Sequence, residues 1–109
     1  MAQEMSLDAF MVSPLRNAWV SSPGFSALYV RKARRLLRGS LVDTLDLASM
    51  EAAEPGSGAL TRLVARLRAK YPSRVLYVES VLNERLPGKL LALGFERVPG
   101  IEPPCFCDK

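Results

Sequence analysis

One stretch of this chain limits its fold more than any other. Leu60, Leu63, Val64 and Leu67 recur at i, i+3, i+4 and i+7, while Arg62, Arg66, Arg68 and Lys70 fall largely on the other side. That period predicts an amphipathic helix over 59–70, closed by Pro72. The runs on either side, LVDTLDLASM at 41–50 and RVLYVES at 74–80, are rich in β-branched, aromatic and aliphatic residues and too short for stable helices, so they predict strands at 41–50 and 75–80. Strand, helix and strand in that order predict a βαβ unit with parallel strands, because the helix returns the chain to the end it started from. Upstream, FSALYVRKARRLL pairs naturally with the first of these strands through an RGS turn, giving an antiparallel hairpin over 26–37 and 41–50.

Weaker signals fill in the rest: a short helix over 7–12, a strand-like NAWV, a loop at SSPG, a helix over 86–93 stopped by Gly94, a strand at FERV, and an edge strand in the proline-bearing tail PGIEPPCFCDK. The expected fold class is α/β (α+β), a mixed central sheet with an antiparallel hairpin, a βαβ unit and flanking helices. At 109 residues and 49% hydrophobic content, one domain is expected, with 1–24 as a reduced N-terminal region, 25–98 as the core and 99–109 as the tail.

Composition narrows the chemistry. No apolar run approaches the roughly 18 residues of a membrane span, and MAQEMSLDAF lacks a basic flank, so neither a span nor a signal peptide is expected. Cys105 and Cys107, separated by one residue, point to a reducing cytoplasm rather than a disulfide framework. With no histidine and two thiols, a zinc site or histidine triad within one chain is not expected, and acid–base work falls to Asp, Glu, Tyr, Cys, Lys or water. The net charge of +4 favours anionic partners. RKARRLLR raises nucleic acid as one of them, but strand alternation puts Arg31, Ala33, Arg35 and Leu37 on one face and Lys32, Arg34, Leu36 and Arg38 on the other. With 7% aromatic residues there are also few stacking platforms, so an acidic protein surface suits the hairpin better.

Gly56-Ser57-Gly58 stands where the first strand turns into the helix. A glycine turn at a helix N-terminus exposes backbone N–H groups to an anion, and Ser57 adds a hydroxyl that either caps the helix or bonds a phosphate oxygen. Alone, the motif is more often simply the entrance to a helix.

The second half adds a pattern to this turn. YVESVLNERLPGKLLALGFERV runs from a strand to Asn83 and then through a helix to Gly94-Phe95, eleven to twelve residues on, and LDLASMEAAEPGSGALTRLVARL precedes it. The order resembles the GNAT superfamily of acyl-CoA-dependent N-acyltransferases over about two-thirds of the chain, from Tyr29 to Val98. The resemblance implies acetyl-CoA as cosubstrate, lying between strands 41–50 and 75–80, its pantetheine amides near Ser49 and Met50, its pyrophosphate on the amides of Gly56, Ser57, Gly58 and Ala59, with Arg62 and Asn83 as further cofactor contacts. It also implies a carboxylate base for the amine, for which Asp43 and Glu79 stand in suitable strands; each serves equally as an arginine partner. Tyr77 and Cys105 are weaker proton-donor candidates.

Three departures matter. Ala53 replaces the usual Arg or Gln of the turn, Leu90 stands where many members carry a tyrosine acid, and Pro87 fits the last helix only in its first turn. The reduced N-terminal region leaves an open acceptor side, suited to a protein acceptor or to completion by a partner such as a homodimer. A non-catalytic CoA-binding or protein-interaction module, favoured by Leu90, and a basic nucleic-acid-binding domain are the competing readings.

Overall fold

The computed structural model describes residues 5–79, 81 and 84–108. In chain order the elements are β1 (Met5–Ser6), α1 (Leu7–Val12), β2 (Asn17–Ser21), β3 (Phe25–Leu37), β4 (Ser40–Ala52), α2 (Ala59–Lys70), β5 (Val75–Val78), α3 (Leu86–Ala92), β6 (Phe95–Arg97) and β7 (Phe106–Asp108). Among the described residues, the strands form one seven-stranded mixed sheet in the order β1-β2-β3-β4-β5-β7-β6. The β1–β2 and β4–β5 pairs are parallel and the others antiparallel. The mixed α/β class is therefore as expected. No helix among the described residues is long and apolar enough to cross a membrane.

The β3–β4 hairpin is closed by a two-residue turn in which Arg38 and Gly39 have φ of 50° and 80°, with Leu37 opposite Ser40. Positive φ at both central residues matches the twist of the flanking strands, and it fixes the register of two 13-residue strands. The βαβ unit follows, with Leu45 opposite Leu76 and Leu47 opposite Val78. Pro87 lies in the first turn of α3, and Gly94 ends that helix at φ 93°.

Two expectations change. The strand predicted over 75–80 ends as a ladder at Val78, and Ser80 lies outside the described residues. The tail adds an interior strand, not an edge: β7 sits between β5 and β6, with Tyr77 opposite Cys107 and Glu96 also opposite Cys107. The prolines that argued for an edge all precede Cys105, so Phe106–Asp108 keeps its N–H groups for both neighbours.

The two faces of the sheet differ. Buried residues from all three helices, Phe10, Leu63, Val64, Leu67 and Leu90 among them, join Leu28, Val30, Leu45, Leu47, Leu76 and Val78 in one core. The opposite face carries a smaller cluster of Leu37, Tyr77, Cys105 and Cys107. No described helix contributes to it.

On the helical face, Tyr71 just after α2 donates a 2.6 Å hydrogen bond to Asp8 in α1, and Lys70 pairs with the same carboxylate at 2.9 Å. Burial and the Asp8 acceptor push the Tyr71 phenol up to about 12. The stabilisation from this link is complete below the ordinary tyrosine pKa of 10.0 and is lost as pH climbs to about 12. Melting temperature should therefore fall across that window in the wild type, and Tyr71→Phe should flatten the fall.

Candidate functional site

Residues between β4 and α2 build a tight, glycine-dependent turn. Ala53 donates its N–H to the Gly24 carbonyl at 2.9 Å, tying the turn to the β2–β3 connection. A Cβ on Gly24 would lie 2.9 Å from the Ala59 side chain, so this approach needs glycine. Glu54-Pro55-Gly56-Ser57 has the form of a type II turn: Gly56 has φ 82° and Ser57 N–H donates to Glu54 O at 3.2 Å. Gly58 follows as N-cap, also at φ 82°, and no side chain caps the helix. Ser57 thus does not act as the cap that its position allowed, and its N–H is committed to the turn rather than to the set expected to meet a phosphate.

The first helical bond runs from Arg62 N–H to Gly58 O at 3.1 Å. The amides of residues 59–61 precede it and have no intrahelical acceptor. Around Gly56 the space is open, with no atom within 4 Å of a would-be Cβ. Arg62 curls back so that Nη1 donates to Ser57 O at 2.8 Å. It thereby braces the turn with a cation beside these amides.

Directly below this turn the two parallel strands part. Tyr29 and Val30, adjacent on β3, pair with Ser49 and Leu47, so Ala48 is an extra residue in β4. A bulge of this kind bends its strand and increases its twist. The last β4–β5 pair is Leu47 with Val78, and the last rung is Glu79 N–H to Leu47 O at 3.2 Å. Beyond it, residues 49–52 pair with β3 on one side, while no described strand pairs with them on the other. Backbone groups of β4 near Ser49 and Met50 therefore line a notch at the carboxyl ends of two parallel strands, under a helix N-terminus. Crevices in that position are where open α/β sheets bind ligands.

Glu79 stands at the notch on the face without helices. Arg31 Nη1 donates to its two oxygens at 3.0 and 3.3 Å, and Arg35 lies 3.7 Å away. Arg35 also donates through Nε and Nη2 to Asp46 Oδ2 at 3.1 and 2.7 Å, with its guanidinium 4.0 Å above the Tyr77 ring. Thr44 donates to Asp46 Oδ1 at 2.7 Å. Asp46 is 0% exposed and Glu79 retains 16%. Burial first, and then the Asp46 carboxylate, push Glu79 above the usual carboxylate range against the pull of Arg31 and Arg35. Asp46 was not singled out in the sequence; its only local sign is a charge between Leu45 and Leu47 in an apolar run.

The other expected residues disperse. Asp43 is exposed near the hairpin turn, pairs with Arg34 at 3.3 Å and shares the helical side of the sheet, so the structure does not bring it to Glu79 or to the glycine turn. Strand alternation separates it from Asp46, and about 10 Å of strand lies between them. Asn83 lies outside the described residues. Tyr77 is buried, raised above the tyrosine range chiefly by burial and by a hydrogen bond with Cys105. Both cysteines are buried, and neither is in a disulfide.

All five basic side chains of RKARRLLR are engaged inside the protein. Arg31 meets Glu79, Arg34 meets Asp43, Arg35 meets Asp46 and Arg38 meets Glu96, while Lys32 donates to the carbonyls of Phe10 and Ser13 at the end of α1. These charges already serve as internal counterions and caps.

Leu90 is 0% exposed within the helical core. Leu90→Tyr should cost about 1–3 kcal/mol through overpacking, read as a lower urea midpoint, and should not supply a proton donor. A cavity of about 250 Å³ lined by Ser6, Ser22, Arg66 and Tyr71 among others lies on the β1–β2 side of α2, away from β5 and the chemistry of the notch. Arg66 there is tied to Ser22 Oγ at 2.7 Å. No protein-family model, curated protein or solved structure matches this chain.

Proposed function

We propose that this protein is an acetyl-CoA-dependent N-acetyltransferase of the GNAT type. The observation that carries the reading is the parting of β4 and β5 at the Ala48 bulge beneath the uncapped start of α2. That arrangement fits the proposed cosubstrate at both ends. Backbone groups near Ser49 and Met50 that meet no described strand on the β5 side suit pantetheine amides, and the amides of Gly56, Gly58 and Ala59, at the positive end of the α2 dipole, suit a pyrophosphate. Arg62 adds a cation that reaches the phosphates by releasing Ser57 O.

Acetyl-CoA supplies the activated acyl carbon and a thiolate leaving group. Glu79 takes a proton from the acceptor ammonium, freeing the lone pair that forms the C–N bond as the C–S bond breaks. The second amine proton leaves with the thiolate through water, since Leu90 offers none. Two cysteines outside any disulfide fit the reducing cytoplasm, and the sheet face that carries no described helix fits a protein acceptor. Leu90 also favours a second reading, a protein that binds CoA without turning it over.

Thermal stability in acetyl-CoA tests both. At a hundredfold excess over Kd, about 2.7 kcal/mol is expected, a rise of roughly 10 °C in Tm. No rise at millimolar acetyl-CoA would rule out either reading.

A further inference from the structure

The face of the sheet that carries no described helix leads in register to the notch. Trp19 on β2 pairs with Tyr29 on β3, and Tyr29 pairs with Ser49 on β4, the residue just past the bulge. Glu79 stands on the far side of the opening, on the same face as its strand neighbour Tyr77. The two rings lie 5.0 Å apart at 53°, and Trp19 is 50% exposed. Across this row lies the Arg31 side chain, its guanidinium 5.6 Å over the Tyr29 ring while Nη1 bonds both Glu79 oxygens. The protein thus holds one of its own cations between an aromatic face and the carboxylate that faces the notch. Arg31 is 44% exposed, and such partly exposed ion pairs are weak, so another cation can replace it.

We propose that this cradle is the acceptor subsite. A primary alkylammonium, from a lysine side chain or a free polyamine, displaces the Arg31 guanidinium and lies on Tyr29 and Trp19 with its nitrogen against Glu79. The inference rests on the acyl-transfer reading, and it gives Arg31 a defined part: an internal competitor that shields Glu79 until the acceptor arrives. Aromatic faces attract ammonium groups through their quadrupole, and a carboxylate beside them adds charge complementarity.

Trp19 is the only tryptophan, so its fluorescence reports this surface without any need for turnover. At low salt and pH 8, butylammonium should quench it saturably, while neutral 1-pentanol should not. Arg31→Ala should tighten butylammonium about two- to fivefold by removing the competitor. Tyr29→Leu should weaken it about tenfold, and Tyr29→Phe, which keeps the ring, should bind as wild type. Spermidine and a capped lysine tripeptide then identify the source, by whichever binds more tightly. Equal quenching by 1-pentanol, weaker or unchanged binding in Arg31→Ala, or wild-type binding in Tyr29→Leu each overturns the assignment. The acetyl-CoA melting shift on the same samples separates the two ideas. A shift without amine binding defeats the subsite alone, and amine binding without a shift defeats the acyl-transfer reading while the cation subsite stands.

Discussion

Glu79→Gln is expected to lower acetyl transfer by about 10²–10⁴-fold, the usual contribution of a positioned general base, while leaving the acetyl-CoA melting shift in place. The separation follows from geometry: Glu79 flanks the notch, whereas the proposed phosphate contacts come from the turn before α2. Burial and the neighbouring Asp46 carboxylate raise Glu79 above the ordinary range, which brings a carboxylate closer to the operating pH of a base. Activity should therefore climb with pH as Glu79 loses its proton, with the acid limb above the usual glutamate value of 4.5. Glu79→Gln should remove that limb. Asp43→Asn is the matched control and should turn over as wild type, because Asp43 pairs with Arg34 near the hairpin turn. A Glu79→Gln protein that transfers at the wild-type rate would remove Glu79 from the mechanism.

Asp46→Ala should cost about 3–5 kcal/mol, measured by urea unfolding. Asp46 is fully buried and takes hydrogen bonds from Arg35 and Thr44, so its loss removes the acceptor of the buried Thr44 hydroxyl and leaves the Arg35 guanidinium over Tyr77 with only the longer 3.7 Å contact to Glu79. That is a large share of the roughly 5–15 kcal/mol by which small domains are stable. Replacing both partners, as Arg35→Met with Asp46→Leu, should recover most of the loss, because an apolar pair leaves no uncompensated charge. A single Asp46→Ala loss below about 1 kcal/mol would contradict the buried pair.

Much of the architecture was legible along the chain. The apolar stripe of Leu60, Leu63, Val64 and Leu67 marks α2 at Ala59–Lys70, Gly94 ends α3, and RGS turns the hairpin. These are local signals: a helix must bury one face every 3.6 residues, and a two-residue turn with positive φ accepts few sequences. The site was legible in part. Gly56 and Gly58 signalled a turn needing φ above zero, but nothing local showed that Ser57 would leave the helix uncapped. Asp43 and Asp46 look alike in LVDTLDLASM, three residues apart on one strand. Burial separates them, and burial depends on which strands pair alongside.

Local periodicity was thus enough to determine the hairpin, the α2 helix and the parallel βαβ unit, because each follows from short-range sterics and from which side chains must leave water. Tertiary structure alone decided the bulge at Ala48, the insertion of β7 between β5 and β6, the pairing of all five basic residues of the hairpin, and the meeting of Arg31, Tyr29 and Glu79 at the notch. Those depend on register between segments up to 58 residues apart, and neither residue of such a pair carries a sign of the other until the sheet brings them together.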